Sequence, residues 1–113
     1  MTPITAEQIS EVYESLADAL RVAHGAAEEA LAAKVSLETV RAEAIRAGII
    51  VGKNETEREA CLRQKFADHY AALEEAERRG RETRHQVELV RLAVETLRMQ
   101  LRVAELAARE EAV

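Results

Sequence analysis

Two positions in every seven repeat along the second half of the chain and hold mainly apolar residues. One position is filled by Phe66, Leu73, Gly80, Val87, Val94, Leu101 and Ala108. The other is filled by Leu62, His69, Ala76, Thr83, Val90, Leu97 and Ala104. A stripe with a mean spacing of about 3.5 residues is buried only against another helix, so the repeat predicts a coiled coil.

The first half of the chain predicts one long helix over residues 5–47. Thr5 and Gln8 have the spacing of a capping box, which satisfies free backbone amides at a helix start. Gly48 suits the left-handed conformation that often closes a helix. The apolar stripe assigned to this helix comprises Ile9, Val12, Tyr13, Leu16, Leu20, Ala23, Ala27, Leu31, Val35 and Val40.

A short hinge, residues 48–54, leads to a second helix predicted over residues 55–112. Because the hinge is short, the two helices are expected to fold back on each other. The predicted fold is all-α, a long antiparallel two-helix coiled-coil hairpin forming a single domain over residues 1–113. Its C-terminal part is expected to mediate oligomerisation.

The register of this hairpin places Ala23–Ala33 opposite Ala71–Gly80. Gly25 then faces the neighbourhood of Gly80, as expected where two helix backbones approach closely. The alternative is that Gly80 breaks the second helix, which would give a three-helix bundle.

The C-terminal part of the second helix carries more apolar surface than one neighbouring helix can cover. Residues 98–113 extend past the predicted end of the first helix, yet Leu101 continues the first stripe there. A second stripe runs along the helix at Leu89, Leu92, Met99, Val103 and Leu106. Since a large uncovered apolar patch usually marks an interface, we predict a homo-oligomer, with a two-fold dimer favoured. The alternative is that these are scattered surface residues.

Composition and charge limit the classes of function. Of 113 residues, 33% are charged and 3% aromatic, which is typical of exposed helices rather than of a thick globular core. The net charge of -5 gives no general attraction to nucleic acid. The single cysteine, Cys61, cannot form an internal disulfide. Without a signal-peptide pattern or a membrane-spanning apolar run, we expect a cytoplasmic protein with no membrane partner.

The glycine-rich hinge is not a phosphate-binding loop. Only three residues separate Gly48 from Gly52, whereas that motif needs four, and Asn54 stands where Ser or Thr is required. The sequence also lacks a nucleophile paired with a base. We therefore expect no enzymatic activity and no cofactor.

The histidines do not complete a metal site. Glu82 and His85 have the spacing found in di-iron bundles, but no second such pair exists in the sequence. His69 occupies the apolar stripe, where a polar residue commonly sets register or partner number. We expect no bound metal.

Five arginines give the second helix a local positive stretch: Arg78, Arg79, Arg81, Arg84 and Arg91. The favoured interpretation is a solvated face that pairs with the acidic first helix. The alternative function is a nucleic-acid-linked accessory factor, which contacts phosphates through these arginines or uses an acidic helix face to imitate DNA toward a nuclease. No aromatic residue lies among the arginines to stack on bases.

The end of the hinge and the start of the second helix read GKNETEREACL (Gly52–Leu62), and the helix ends in LRMQLRVAELAARE (Leu97–Glu110). This combination resembles small helical proteins encoded by tailed bacteriophages and prophages. The resemblance implies an accessory protein made in an infected bacterial cell. It transfers no activity to particular residues.

The hinge holds more specific residues than a helix cap requires, which makes it a second candidate for partner binding. These residues are Gly52, Lys53, Asn54, Glu57 and Arg58. The sequence as a whole predicts a non-enzymatic coiled-coil interaction protein. We expect it to self-associate and to act as an accessory or inhibitor on an unknown protein partner.

Overall fold

The computed structural model describes residues 3–112, and these form an all-α helical hairpin. The three helices are α1 (Ala6–Arg46), α2 (Glu55–Lys65) and α3 (Ala67–Glu111). Helices α1 and α3 pack closely, and no strand occurs among the described residues. The predicted all-α helical hairpin is confirmed, and oligomerisation through its C-terminal part stays a prediction.

Local hydrogen bonds define both ends of α1 where the sequence predicts them. The Thr5 amide donates to Gln8 Oε1 at 2.9 Å, and the Gln8 amide donates to Thr5 Oγ1 at 3.1 Å, which is a complete capping box. At the other end Gly48 has a φ of 69°. Its amide donates to the Ile45 carbonyl at 3.1 Å, and the Ile49 amide donates to the Ala44 carbonyl at 3.3 Å. This pair of bonds is a Schellman motif, which satisfies carbonyls that the helix leaves free.

The second helix is not continuous, so the prediction of one helix over residues 55–112 is wrong at Phe66. This residue ends α2 with φ -115° and ψ 36°, outside the helical region. The helical bonding pattern resumes at once, since the Tyr70 amide donates to the Phe66 carbonyl at 3.1 Å. The apolar repeat runs unchanged through this interruption, and for that reason the pattern could not reveal it. Gly80 lies inside α3, so the alternative break is not present.

The chain divides into two compact units. The terminal unit comprises Met1–Ala23 with Glu82–Val113, and the hinge unit comprises His24–Arg81. Within the terminal unit the buried apolar residues are Val87, Val94 and Leu97. Within the hinge unit they are Ala26, Leu37, Ala44 and Leu62. The repeat predicted from residue 62 onward is buried or half-buried at every position up to Leu101.

The covered stripe of α1 differs from the predicted one in its middle part. The buried and half-buried apolar positions are Ile9, Val12, Leu16, Ala19, Ala23, Ala26, Ala30, Ala33, Leu37, Val40 and Ala44. These alternate in steps of three and four, whereas the predicted stripe moved from Ala23 to Val35 in steps of four. Each step of four advances about 40° around a helix, so that stripe drifts off the covered face. Leu31 and Val35 are consequently exposed, and small alanines occupy the contact.

The hinge unit contains an ion pair between its long helical segments. Arg79 Nη1 lies 3.3 Å from Glu29 Oε2, which agrees with the predicted placement of Ala23–Ala33 opposite Ala71–Gly80. The close approach expected at Gly25 is wrong, because Gly25 is exposed and a Cβ there would meet no atom within 4 Å. Gly80 is buried.

Candidate interaction surface

The predicted second stripe of α3 forms an exposed apolar strip in the terminal unit. Its five large side chains are Leu89, Leu92, Met99, Val103 and Leu106, with exposures between 44% and 65%. They follow steps of three and four when Thr96 is included, and Thr96 is also exposed. On a helix these positions lie on the side opposite the buried repeat of Val87, Val94 and Leu97. We call these six residues the outer strip.

The other residue predicted for the interface, Leu101, is half-buried and belongs to the repeat that faces α1. Beyond it, residues 102–112 are all exposed. The uncovered end of α3 is shorter than the predicted 98–113, because Ile4 still lies in one groove with Val103. The structure thus exposes five of the six predicted interface residues, and their role in binding stays a prediction.

A groove adjoins the outer strip within the terminal unit and has a volume of ≈ 760 Å³. It is lined by Ile4, Gln8, Glu11, Val12, Ala93, Thr96, Leu97, Met99, Gln100 and Val103. Thr96, Met99 and Val103 belong to both the groove and the strip, so the two form one continuous surface. The Thr96 hydroxyl donates to the Leu92 carbonyl at 2.9 Å, which satisfies its donor without a partner molecule.

A polar cluster in the hinge unit was not anticipated from the sequence. Arg41 of α1 donates from Nη1 to Glu59 Oε1 of α2 at 2.9 Å and also to the Tyr70 hydroxyl of α3. The Tyr70 hydroxyl donates to the same Glu59 oxygen at 2.9 Å. The Arg63 guanidinium lies over the Tyr70 ring, 4.7 Å from its centroid, as in a cation–π contact. The cluster therefore links all three helices next to the interruption at Phe66.

Hydrogen bonds and burial shift the pKa values in this cluster so that each group keeps its usual charge at neutral pH. The hydrogen bond from Arg41, followed by that from Tyr70, lowers the pKa of Glu59. The hydrogen bond to Glu59 raises the pKa of Arg41. Burial, followed by the bond to Glu59, raises the pKa of Tyr70. At neutral pH the cluster is thus a carboxylate, a guanidinium and a neutral phenol, which suits a structural link rather than proton transfer.

The hinge residues form a helix cap. The Glu57 amide donates to Asn54 Oδ1 at 2.9 Å, and the Lys53 amide donates to Glu57 Oε2 at 2.7 Å. A Cβ at Gly52 would lie 2.7 Å from the Arg58 backbone nitrogen, so only glycine fits this approach. Four of the five hinge residues therefore have a structural role. Partner binding at this hinge stays a prediction.

The arginines of the predicted nucleic-acid face are divided between the units. Arg78, Arg79 and Arg81 belong to the hinge unit, whereas Arg84 and Arg91 belong to the terminal unit. Arg78 Nε donates to Glu75 Oε2 at 3.0 Å, and Arg79 pairs with Glu29 of α1. The second contact is of the kind expected if the arginines pair with the acidic first helix. Phosphate binding by this stretch stays a prediction.

The histidine and cysteine considered as metal-binding or reactive residues are His69 and Cys61. The His69 ring packs edge-on against Phe66 with centroids 5.9 Å apart, and Cys61 is a half-buried free thiol. Among residues 3–112, no three His, Cys, Asp or Glu side chains come together in a way that could hold a metal ion. Over the same residues, every helix lacks the length of apolar sequence needed to cross a membrane.

Comparison with known proteins gives no indication of function, so function is inferred from the surface described above. The chain matches no family model, no curated protein and no solved structure.

Proposed function

We propose that the protein is a non-enzymatic coiled-coil interaction protein that self-associates through the outer strip of α3. The observation that carries this proposal is the strip itself, with five large apolar side chains held in heptad spacing on the helix side that α1 leaves open.

The exposed apolar area of the strip is a source of free energy for association. Fully burying a Leu, Val or Met side chain contributes about 1.5–3 kcal/mol, and each member of the strip keeps roughly half of its area in water. A second helix along the strip would recover several kcal/mol from these side chains. Extended apolar patches on soluble monomers commonly mark such interfaces.

The proposed role of the assembly is that of an accessory or inhibitor protein acting on another protein. The charged cluster at Glu59 is held by its own neighbours, which suits a link between the helices. The hinge, with Arg58 beside a small cavity, is the second candidate surface for such a partner. The resemblance to small phage-encoded helical proteins supports the same class of role.

The test is the double variant Leu92→Glu with Val103→Glu. Both side chains are exposed, so the helices should form, but two carboxylates would have to be buried in any assembly through the strip. We expect wild-type protein to sediment as an oligomer and the variant as a helical monomer, measured by analytical ultracentrifugation and circular dichroism.

The matched control is Ser10→Glu with Ala17→Glu. These positions are exposed on α1 in the same terminal unit and add the same charge away from the strip. The control should retain the wild-type mass. A variant that keeps the oligomeric mass, or a wild-type chain that sediments as a monomer, would overturn the proposal.

A further inference from the structure

The charged residues beside the outer strip change sign along its length. One flank of the strip holds Glu88, Glu95, Arg102 and Arg109, spaced seven residues apart and all exposed. The other flank holds Ala93, Gln100 and Ala107, which carry no charge. The charged flank is therefore acidic in its first half and basic in its second half.

We infer that the partner of the outer strip is a second copy of the same strip, bound antiparallel about a two-fold axis near Leu97 and Arg98. This inference rests on the proposed self-association and specifies its geometry. It follows from the order of the flanking charges together with the apolar pattern between them.

Antiparallel pairing brings the two halves of the charged flank together. In an antiparallel coiled coil, residues on the same flank of the two helices face each other. With the axis between Leu97 and Arg98, Glu95 lies about 3 Å along the axis from Arg102 of the second copy, and Glu88 lies at the same offset from Arg109, which is within reach of these long side chains. Two-fold symmetry repeats each contact, so the dimer gains four opposite-charge pairs.

The apolar positions are consistent with the same axis. Leu89 then lies in one layer with Leu106 of the second copy, and Leu92 with Val103. Thr96 meets Met99 at the centre. Every layer contains at least one large apolar side chain, and the strip runs for about 26 Å at about 1.5 Å per residue.

Parallel pairing lacks this complementarity. In a parallel coiled coil the charged flank of one helix faces the opposite flank of the other. Glu95 would then lie beside Gln100, and Arg102 beside Ala107, with no opposite charge in reach. A competing contact within the chain is weak, since Arg102 Nη1 is 3.9 Å from Glu105 Oε2 and both side chains are exposed.

The charge pairs are tested by reversal. Glu95→Arg places two arginine pairs in each dimer, and we expect the dissociation constant from sedimentation to rise about tenfold. The double variant Glu95→Arg with Arg102→Glu restores opposite charges and should return to within about threefold of wild type. A double variant that dissociates as readily as the single one would overturn the antiparallel arrangement.

The helix direction is tested by spin labels in a Cys61→Ser background. Arg84→Cys and Arg98→Cys are two heptads apart on one helix face, so a parallel dimer gives the same label distance at both. The antiparallel dimer brings the residue 98 labels close together and separates the residue 84 labels by about 40 Å along the axis. Equal label distances in a dimer would overturn the antiparallel arrangement but not the proposed self-association. A wild-type chain that is monomeric would overturn both.

Discussion

Glu59 shows how one side chain connects three helices. It lies on α2, accepts from Arg41 of α1 and Tyr70 of α3, and lies 3.7 Å from the Arg63 guanidinium. The carboxylate is 36% exposed, so solvent screens these contacts. Its contribution to the free energy of unfolding should therefore be less than about 1 kcal/mol.

The pH dependence of stability tests this contribution. Because the folded state lowers the pKa of Glu59, its stabilisation is complete above the unfolded pKa and is lost as the pH falls through the folded value. We expect Glu59→Gln to lower the unfolding free energy at neutral pH and to match wild type at an acidic pH below the folded pKa of Glu59. Urea titrations followed by circular dichroism measure both values.

The control for this prediction is Glu74→Gln, which removes an exposed carboxylate from α3. It should change the stability less than Glu59→Gln does at neutral pH. A Glu59→Gln effect of equal size at both pH values would show that the carboxylate charge contributes nothing to the link.

At the scale of the helices, the sequence predicts where helices begin and end from local capping residues. It does not predict the interruption at Phe66. Thr5 with Gln8, and Asn54 with Glu57, form the predicted caps because capping needs only residues three apart in sequence. The turn at Phe66 was missed because it removes no apolar position from the repeat.

The same reasoning explains the error in α1. Residue size suggested that Leu31 and Val35 are covered, whereas the strict heptad phase passes through Ala30 and Ala33. Alanines are small and are not recognised as contact residues when only large apolar side chains are considered. The alanines of α1 nevertheless follow the heptad spacing regularly. The polar cluster was missed for a different reason, since it needs the mutual placement of three helices.

Two glycine substitutions test the helix assignments in opposite directions. Gly25→Ala adds a methyl group to open space inside α1 and should raise the unfolding free energy by about 0.5–1 kcal/mol. Gly48→Ala forces a side chain into a left-handed residue and should lower it by about 1 kcal/mol. Thermal denaturation by circular dichroism measures both. A destabilising Gly25→Ala would show that a second helix approaches that position after all.

At the scale of the whole molecule, the distribution of charge separates the two classes of function. The net charge of -5 opposes binding to phosphate, and Arg79 is already paired with Glu29. An exposed apolar strip, in contrast, favours contact with another helix. We therefore propose the outer strip, rather than the arginines, as the interaction surface.

A salt titration with a short DNA duplex tests this choice. We expect no change in fluorescence anisotropy at about 150 mM salt with micromolar protein. Binding that weakens steeply with salt, and that is reduced by Arg84→Ala with Arg91→Ala, would favour the nucleic-acid alternative instead.

The small number of buried side chains has a consequence for the lifetime of the protein in a cell. Only seven apolar residues are buried among residues 3–112, and two of these are alanines. A chain with so small a core is marginally stable by itself, and the proposed self-association would add stability in proportion to the logarithm of concentration. Newly made copies should therefore be open to proteases while they are scarce and become resistant as they accumulate. Abundance would then act as a threshold, below which the protein is cleared before it can act.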